Sequence, residues 1–427
     1  MDTAVRFGRP VQRRGRVVTL TLRGGTVLAA GVLALVVAYI AGWPELLIIA
    51  CFCGIPPLLA LVFVVRMRPR LSVARFTTPA IVTAGTTGSA RLRLGNLAGA
   101  KSSPAHWRDY LPWGPGATRR QGLPVMDAGA SLSLQYAFTP PRRGIPELGP
   151  LVIEVADPFG FARGEFPVGD RQRVVVAPET VDLSQGAVDI ASDSGSARLF
   201  QHRALAGEHD IMTRDYRPGD ALRRVHWKAS AHHGDLMVRE DEKRSHAEAL
   251  ILVDTRRGSY RDVLRTPSTD RPESEHFEWA LSMVASLRDH LVKGGLRVRV
   301  METAVAQLAD ADHVDDFVES LARVRLSYQD GPALILAEPK ADSVGSLFAV
   351  LDDPDGETLD ALLEQRGSFD LAVAFLLGPP GPGRPRGSSP AGDPADRLER
   401  AGWTVHRVVD GEGVAAAWHA LGGAADD

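Results

Sequence analysis

ALILVDTRRGS, Ala249 to Ser259, decides how the second half of this 427-residue chain is read. Five apolar residues run unbroken into an aspartate, the pattern of a strand buried on both faces rather than one alternating between core and water. From there the pattern changes element by element. Phe277 to Val292 carries apolar residues at helical spacing, LRVRVM (Leu296 to Met301) reads as a strand, His313 to Val324 as a helix and ALILAE (Ala333 to Glu338) as a strand. Glu357 to Gln365 follows as a helix, DLAVAFLL (Asp370 to Leu377) as a strand and Ala395 to Ala401 as a helix. WTVHRVV (Trp403 to Val409) is the last strand and Val414 to Leu421 the closing helix. Strands alternating with helices predict a parallel, Rossmann-type wound sheet covered on both faces over 249–427. Gly378 to Pro394, rich in glycine and proline, reads as a flexible loop within it.

Upstream, 67–180 is β-rich. LSVARF, SARLRLGN, ASLSLQYAF, LVIEV and QRVVVAP alternate or are β-branched, and Gly, Pro and Asp clusters separate them. Short strands at this spacing predict a small antiparallel sandwich or barrel, taken as a β-sandwich. Trp107, Tyr110 and Trp113 are placed in a Gly/Pro-rich loop, as caps of the sheet or as an aromatic surface. Between the two domains, 181–248 reads as a polar linker followed by a charged segment.

Further towards the start, Thr26 to Ile40 holds no charge, and Leu46 to Val65 gives twenty more uncharged residues. The first run can continue to Trp43, and each is then about the length needed to cross about 30 Å of hydrocarbon. Only Gly42-Trp43-Pro44-Glu45 separates them, so 24–66 reads as a transmembrane α-hairpin, with Pro56 and Pro57 inside its second helix. Arg6, Arg9, Arg13, Arg14, Arg16 and Arg23 precede it within a basic arm, 1–23; Arg66, Arg68 and Arg70 follow it; the turn carries only Glu45. The positive-inside rule therefore predicts a two-helix protein of the cell membrane with both termini cytoplasmic. The only two cysteines, Cys51 and Cys53, lie in the second run, which leaves the rest of the chain no thiol for catalysis, zinc or disulfides. A net charge of -3 argues against a general nucleic-acid binder.

The charged segment, Gly207 to Glu242, reads GEHDIMTRDYRPGDALRRVHWKASAHHGDLMVREDE. Asp215 to Asp220 has turn chemistry: Pro218 sets one backbone angle, Gly219 supplies freedom, and Asp220 can cap a helix begun after it. Leu222 to Ser230 looks helical, which would set Arg224 and Lys228 on one face and Arg223, His226 and Trp227 on another. Leu236 to Asp241 alternates as a strand does. Mixed with Asp215, Asp220, Asp235 and Glu240, the bases suit paired charges better than a nucleic-acid patch. Ser230 beside His226, His232 and His233 lacks the geometry-bearing elbow of a serine nucleophile, adjacent histidines point apart, and there is no phosphate-binding loop.

Gly207, Arg214-Asp215-Tyr216, Pro218-Gly219-Asp220, Arg224, His226-Trp227-Lys228, Ala231, Leu236 and Arg239-Glu240 resemble the signature of the bacterial domain of unknown function 58 family. Arg143-Gly144, Asp157-Pro158-Phe159-Gly160 and the hairpin are also similar to that family. The resemblance implies a membrane-tethered protein with a C-terminal domain similar to von Willebrand factor type A domains. It implies as partners a MoxR-type AAA+ ATPase and a transglutaminase-like membrane protein, and it carries no catalytic residue. The expected role is a cytosol-facing interaction or scaffold protein in assembly or remodelling of an envelope complex. The signature then serves as a junction between domains or as a docking surface.

Type A domains often hold Mg²⁺ through an aspartate at the end of the first strand and serines at alternate positions after it, oxygen ligands suited to a hard cation. Asp254 stands in that place, but Arg256 and Gly258 replace the serines, and Glu338 is the acid near where a later aspartate is usual. The favoured reading makes Asp254 a strand-end cap or the ion-pair partner of the arginines. The alternative is a divalent-metal-dependent enzyme, or a metal-mediated binding domain, using Asp254.

Overall fold

The computed structural model describes residues 17–114, 116–183, 213–215, 230–232, 234, 237–239, 248–263, 274–329, 331, 334, 345–377 and 393–423. The chain divides into two compact units, Met1–Ala177 and Pro178–Asp427.

The first unit begins with strand β1 (Val17–Leu20), followed by helices α1 (Leu22–Ala41) and α2 (Glu45–Arg66). Both helices are long and apolar enough to cross a membrane. Gly42 ends α1 in the left-handed region, a conformation open to a residue without a Cβ. Gly31 lets the two helices meet closely: an added Cβ would lie 2.9 Å from the backbone nitrogen of Gly54. The remaining strands are β2 (Leu71–Thr78), β3 (Ile81–Thr83), β4 (Gly88–Asn96), β5 (Ala105–Asp109), β6 (Gln121–Leu123), β7 (Ser131–Phe138), β8 (Glu147–Leu148), β9 (Leu151–Ala156), β10 (Ala162–Val168), β11 (Gln172–Arg173) and β12 (Val175–Ala177).

Two antiparallel sheets, in the orders β1-β10-β9-β5-β6 and β2-β4-β7, share one core. Leu92, Leu94, Tyr136 and Phe138 come to it from one sheet, and Trp107, Ile153, Val155 and Phe166 from the other, so the unit is a β-sandwich. A buried polar cluster ties the sheets together. Arg75 on β2 donates from Nε and Nη2 to the two oxygens of Asp109 on β5, at 3.0 and 2.8 Å, and Tyr136 on β7 donates to Asp109 Oδ2 at 2.6 Å. Burial, with the adjacent Asp109 charge, raises the Tyr136 phenol above its ordinary range.

Two expectations change here. Residues 17–20 are not part of a free arm but form an edge strand, because Val17 to Leu20 finds partners on β10 from Glu165 to Ala162. Trp107 is not in a loop: it sits on β5, almost wholly buried, with its ring 6.3 Å from that of Tyr136. A short strand flanked by Gly/Pro-rich sequence is recognisable only once its partners, β9 and β6, are known.

In the second unit, β13 (Thr213–Asp215) and β14 (Met237–Arg239) pair as an antiparallel ribbon. The α/β part comprises β15 (Glu248–Val253), α3 (Glu275–Lys293), β16 (Arg297–Glu302), α4 (Val314–Arg323), β17 (Gly345–Leu351), α5 (Gly356–Gln365), β18 (Phe369–Leu377), α6 (Pro394–Arg400), β19 (Thr404–Val408) and α7 (Val414–Gly423). All five sheet strands are parallel, in the order β16-β15-β17-β18-β19. Alternate residues of β15 serve opposite faces. Ile251 and Val253 join the core beneath α3, α4 and α7, and Leu250 and Leu252 the core beneath α5 and α6. This is the doubly wound arrangement that the apolar runs predict.

The central strand beside β15 is Gly345–Leu351, which the sequence reading passes over in favour of ALILAE. Most of ALILAE lies outside the described residues. Val181 and Leu183 belong to the α/β core rather than to a linker, and the rest of 184–206 lies outside the described residues.

Candidate functional site

In a parallel sheet with this strand order, the first crossover leaves β15 in one direction and the next returns on its other side. The carboxyl ends of β15 and β17 therefore flank the switch point, where open α/β sheets form a crevice. The residues there are chemically distinctive. Asp254 follows β15, Thr303 follows β16, and Asp352, Asp353 and Asp355 follow β17.

Asp254 is completely buried. Its Oδ1 accepts from Thr303 Oγ1 at 2.5 Å, from the Arg256 backbone at 3.0 Å and from Arg256 Nε at 3.2 Å. Its Oδ2 accepts from Arg256 Nη2 at 2.9 Å. The other side of the same guanidinium pairs with Asp355, which also caps α5 by accepting from the Thr358 backbone at 2.8 Å. Burial works against the Arg256 charge, but the hydrogen bonds and charges of Asp254 and Asp355 outweigh it and raise its pKa. Burial likewise opposes the Asp355 carboxylate, yet donation from Thr358 and the Arg256 charge hold it below its ordinary value. Arg257 points elsewhere, its guanidinium 5.0 Å above the ring of Tyr328. This donor set does not fit a divalent cation. A fixed positive charge occupies the open side of Asp254, and both carboxylate oxygens already accept from it.

Beside this pair lies a second cluster. His276, in the first turn of α3, has Nδ1 3.3 Å from Asp352 Oδ2 and 4.0 Å from Asp262 Oδ1, and Nε2 3.5 Å from Asp410 Oδ1. Nδ1 is buried and aimed at neither carboxylate well enough for a hydrogen bond. Asp352, above all, pushes His276 up to about 9, with Asp262 and Asp410 adding to the effect against the opposing burial. Asp262 accepts from Ser274 Oγ at 2.5 Å and from the His276 backbone at 2.9 Å. Arg261 donates its backbone to Asp352 at 3.1 Å and its Nε to Asp353 at 2.9 Å. One ligand atom each from Asp262, His276 and Asp352 can be chosen within 4.8 Å of one another.

The described acids that directly follow β17 are Asp352 and Asp353, and Glu338 lies outside the described residues. Their signal was present as SLFAVLDD, an apolar run ending in two aspartates, but it competes with ALILAE only thirteen residues upstream. Of the signature residues, Arg214 and Asp215 lie on β13 and Arg239 on β14, with Arg214 opposite Val238. Tyr216, Pro218, Gly219, Asp220, Arg224, His226, Trp227, Lys228 and Glu240 lie outside the described residues, as do the turn and most of the helix expected there.

Fold and site together define a chain with two apolar helices long enough for a membrane, a β-sandwich, and a doubly wound α/β unit with a charge-paired switch point. A family model described as "Protein of unknown function DUF58" matches residues 212–301, from the β13–β14 ribbon through β15 and α3 to β16, and supports the resemblance of the signature to that family. No curated protein matches the chain. Among solved structures, the CARDB domain of the PF1109 protein from Pyrococcus furiosus, in complex with di-metal ions, is similar at 16% identity over 25% of this chain and 88% of that one, with a TM-score of 0.19. The Pseudomonas fluorescens alkylpurine DNA glycosylase AlkC is similar at 14% identity over 28% and 39%, TM-score 0.17. The sporulation control protein Spo0M from Bacillus subtilis is similar at 12% identity over 29% and 55%, TM-score 0.15. Likenesses at such TM-scores carry no argument about this chain.

Proposed function

We propose that this chain is a membrane-anchored interaction protein of the domain of unknown function 58 family, with its soluble units on the cytosolic side. The α/β unit is read as von Willebrand factor type A-like, supported by Asp254 at the end of the first strand and Asp352-Asp353 at the end of β17. The switch point is its docking site for a protein partner. One observation carries this reading: the site is a set of ion pairs built around the buried Asp254 and Asp352, whose outer members, Asp355, Arg261 and Asp410, face solvent. Such a surface is rigid and charge-patterned, which suits recognition and orientation more than bond chemistry.

The partner the resemblance supplies is a MoxR-type AAA+ ATPase, with a transglutaminase-like membrane protein as a second. The test is co-purification from native membranes with the parent chain and with Arg261→Glu/Asp353→Arg. Recovery of an AAA+ ATPase with the parent and its loss with the charge reversal supports the reading. Equal recovery by both, or none by the parent, defeats it. Asp220→Ala and Trp227→Ala test the signature in the same assay: lost partner with unchanged melting assigns it to docking, and lowered melting assigns it to the junction.

A second reading, a metal-mediated binding domain, is favoured by the buried and unbonded Nδ1 of His276 between two carboxylates. Mn²⁺ or Zn²⁺ titration followed by thermal shift tests it. A stabilisation abolished by His276→Gln keeps it, and no shift in the parent removes it. An Mg²⁺ shift abolished by Asp254→Ala would instead restore the site at Asp254.

A further inference from the structure

The turn Asp157-Pro158-Phe159-Gly160-Phe161 joins β9 to β10, and it is built more firmly than a solvent loop requires. Asp157, itself buried, accepts from the Phe159 backbone at 2.9 Å and from the Ala162 backbone at 2.5 Å. The turn is then fastened to the start of α1. Thr21 donates its backbone to Phe161 O at 2.8 Å and its hydroxyl to Gly160 O at 2.6 Å, while the same hydroxyl caps α1 by accepting from Gly24. Gly24 lies so close that an added Cβ would stand 2.1 Å from Phe161 O. On the other helix, Val64 is buried against Gly164 of β10. Hairpin and sandwich are welded here without a linker.

This weld leaves Phe159 70% exposed, stacked on Phe161 at 6.0 Å, and Leu22, which follows Thr21 in the chain, 88% exposed. Gly31 packs against the Ala50–Gly54 stretch of α2. Counting back along two antiparallel helices of equal rise, Thr21 lies at about the level of Val62. Val62 and Val65 are themselves exposed and apolar, so the lipid-facing surface of α2 continues to the depth of the turn. Arg23, Arg66, Arg68, Arg70 and Arg163, at the same end, are exposed and pair with no described acid.

We infer that the sandwich has a lipid-binding surface of its own. Phe159 inserts into the headgroup layer of the bilayer that the hairpin enters, and the five arginines meet its anionic headgroups. This rests on the reading of the hairpin as membrane-spanning. Aromatic rings favour that layer, and a basic collar adds attraction that falls with salt.

The test uses the full chain carrying Cys51→Ala and Cys53→Ala, with a single nitroxide at Phe159→Cys, in nanodiscs containing anionic phospholipid. Ile48→Cys on the exposed face of α2 is the membrane reference. Thr86→Cys, on the turn after β3 and beyond the far end of the eight-residue β2, is the water reference. Collision with a water-soluble nickel chelate should be several-fold lower at 159 than at 86, with oxygen collision raised. If 159 matches 86 while 48 is oxygen-accessible, the inference falls and the hairpin reading stands. If 48 is also open to the chelate, the hairpin reading falls and takes the inference with it. The unsubstituted chain gives an independent measurement: phospholipid bearing a photoreactive group near its glycerol should label the Phe159 peptide, and labelling no greater than at the Thr86 peptide overturns the inference.

Discussion

Replacing Arg256 by alanine removes the guanidinium that faces Asp254. The carboxylate stays completely buried and keeps two donors, Thr303 Oγ1 at 2.5 Å and the residue-256 backbone at 3.0 Å. Breaking a buried pair from one side costs about 3–5 kcal/mol, and the surviving donors put this case near the lower end, about 3 kcal/mol. For a unit of this size each kcal/mol moves the melting point by about 2–4 °C, so a fall of about 6–12 °C is expected. Calorimetry of the detergent-solubilised full chain measures it. Asp254→Asn with Arg256→Met removes both charges, so it should cost much less than Arg256→Ala alone. Millimolar Mg²⁺ should raise the midpoint of Arg256→Ala, where Asp254, Thr303 and Asp355 are freed as oxygen ligands, and leave the parent unchanged. A melting point of Arg256→Ala within about 1 °C of the parent, or a double variant as unstable as the single, would refute the argument that Arg256 neutralises the strand-end aspartate.

The sandwich offers a parallel case: Asp109→Ala strands the buried Arg75 and should cost about 3–5 kcal/mol, read as a lowered transition for the first unit, while Arg75→Met/Asp109→Leu/Tyr136→Phe should recover most of the loss. His276, raised from its ordinary value of 6.5 to about 9, contributes stability that is fully present below pH 6.5 and is lost as pH rises through 9. The melting point should therefore decline over that window in the parent, and His276→Gln should flatten the decline. Gly24→Ala drives a methyl to 2.1 Å from Phe161 O, so hydrogen exchange over 157–163 should accelerate in the full chain, whereas Gly25→Ala, where an added Cβ meets nothing, should leave it unchanged.

The hairpin, the alternation in β2, β4 and β7, and most of the α/β elements were legible because each depends on local periodicity and composition. Twenty uncharged residues meet the bilayer's length requirement whatever else the chain does, and β15 must be covered on both faces because nothing polar interrupts it. Trp107 and β1 were not legible. A five-residue or four-residue strand becomes one through its partners, and those are far away in sequence.

The site divides along the same line. The sequence by itself placed an aspartate at the end of the first wound strand and an arginine two residues later, and from that alone an ion pair was foreseeable. The reading of the sequence takes ALILAE and passes over SLFAVL, because two apolar runs of similar length satisfy the same pattern and nothing local decides which lies beside β15. Only the tertiary structure does, by pairing Ala249 to Val253 with Ser346 to Val350. That register brings Asp352, Asp353 and Asp355 to the switch point and surrounds His276 with acids. Charges far apart in sequence, such as Arg256 with Asp355 and His276 with Asp410, form one network because strand order, a non-local property of the sheet, sets which strand ends are neighbours.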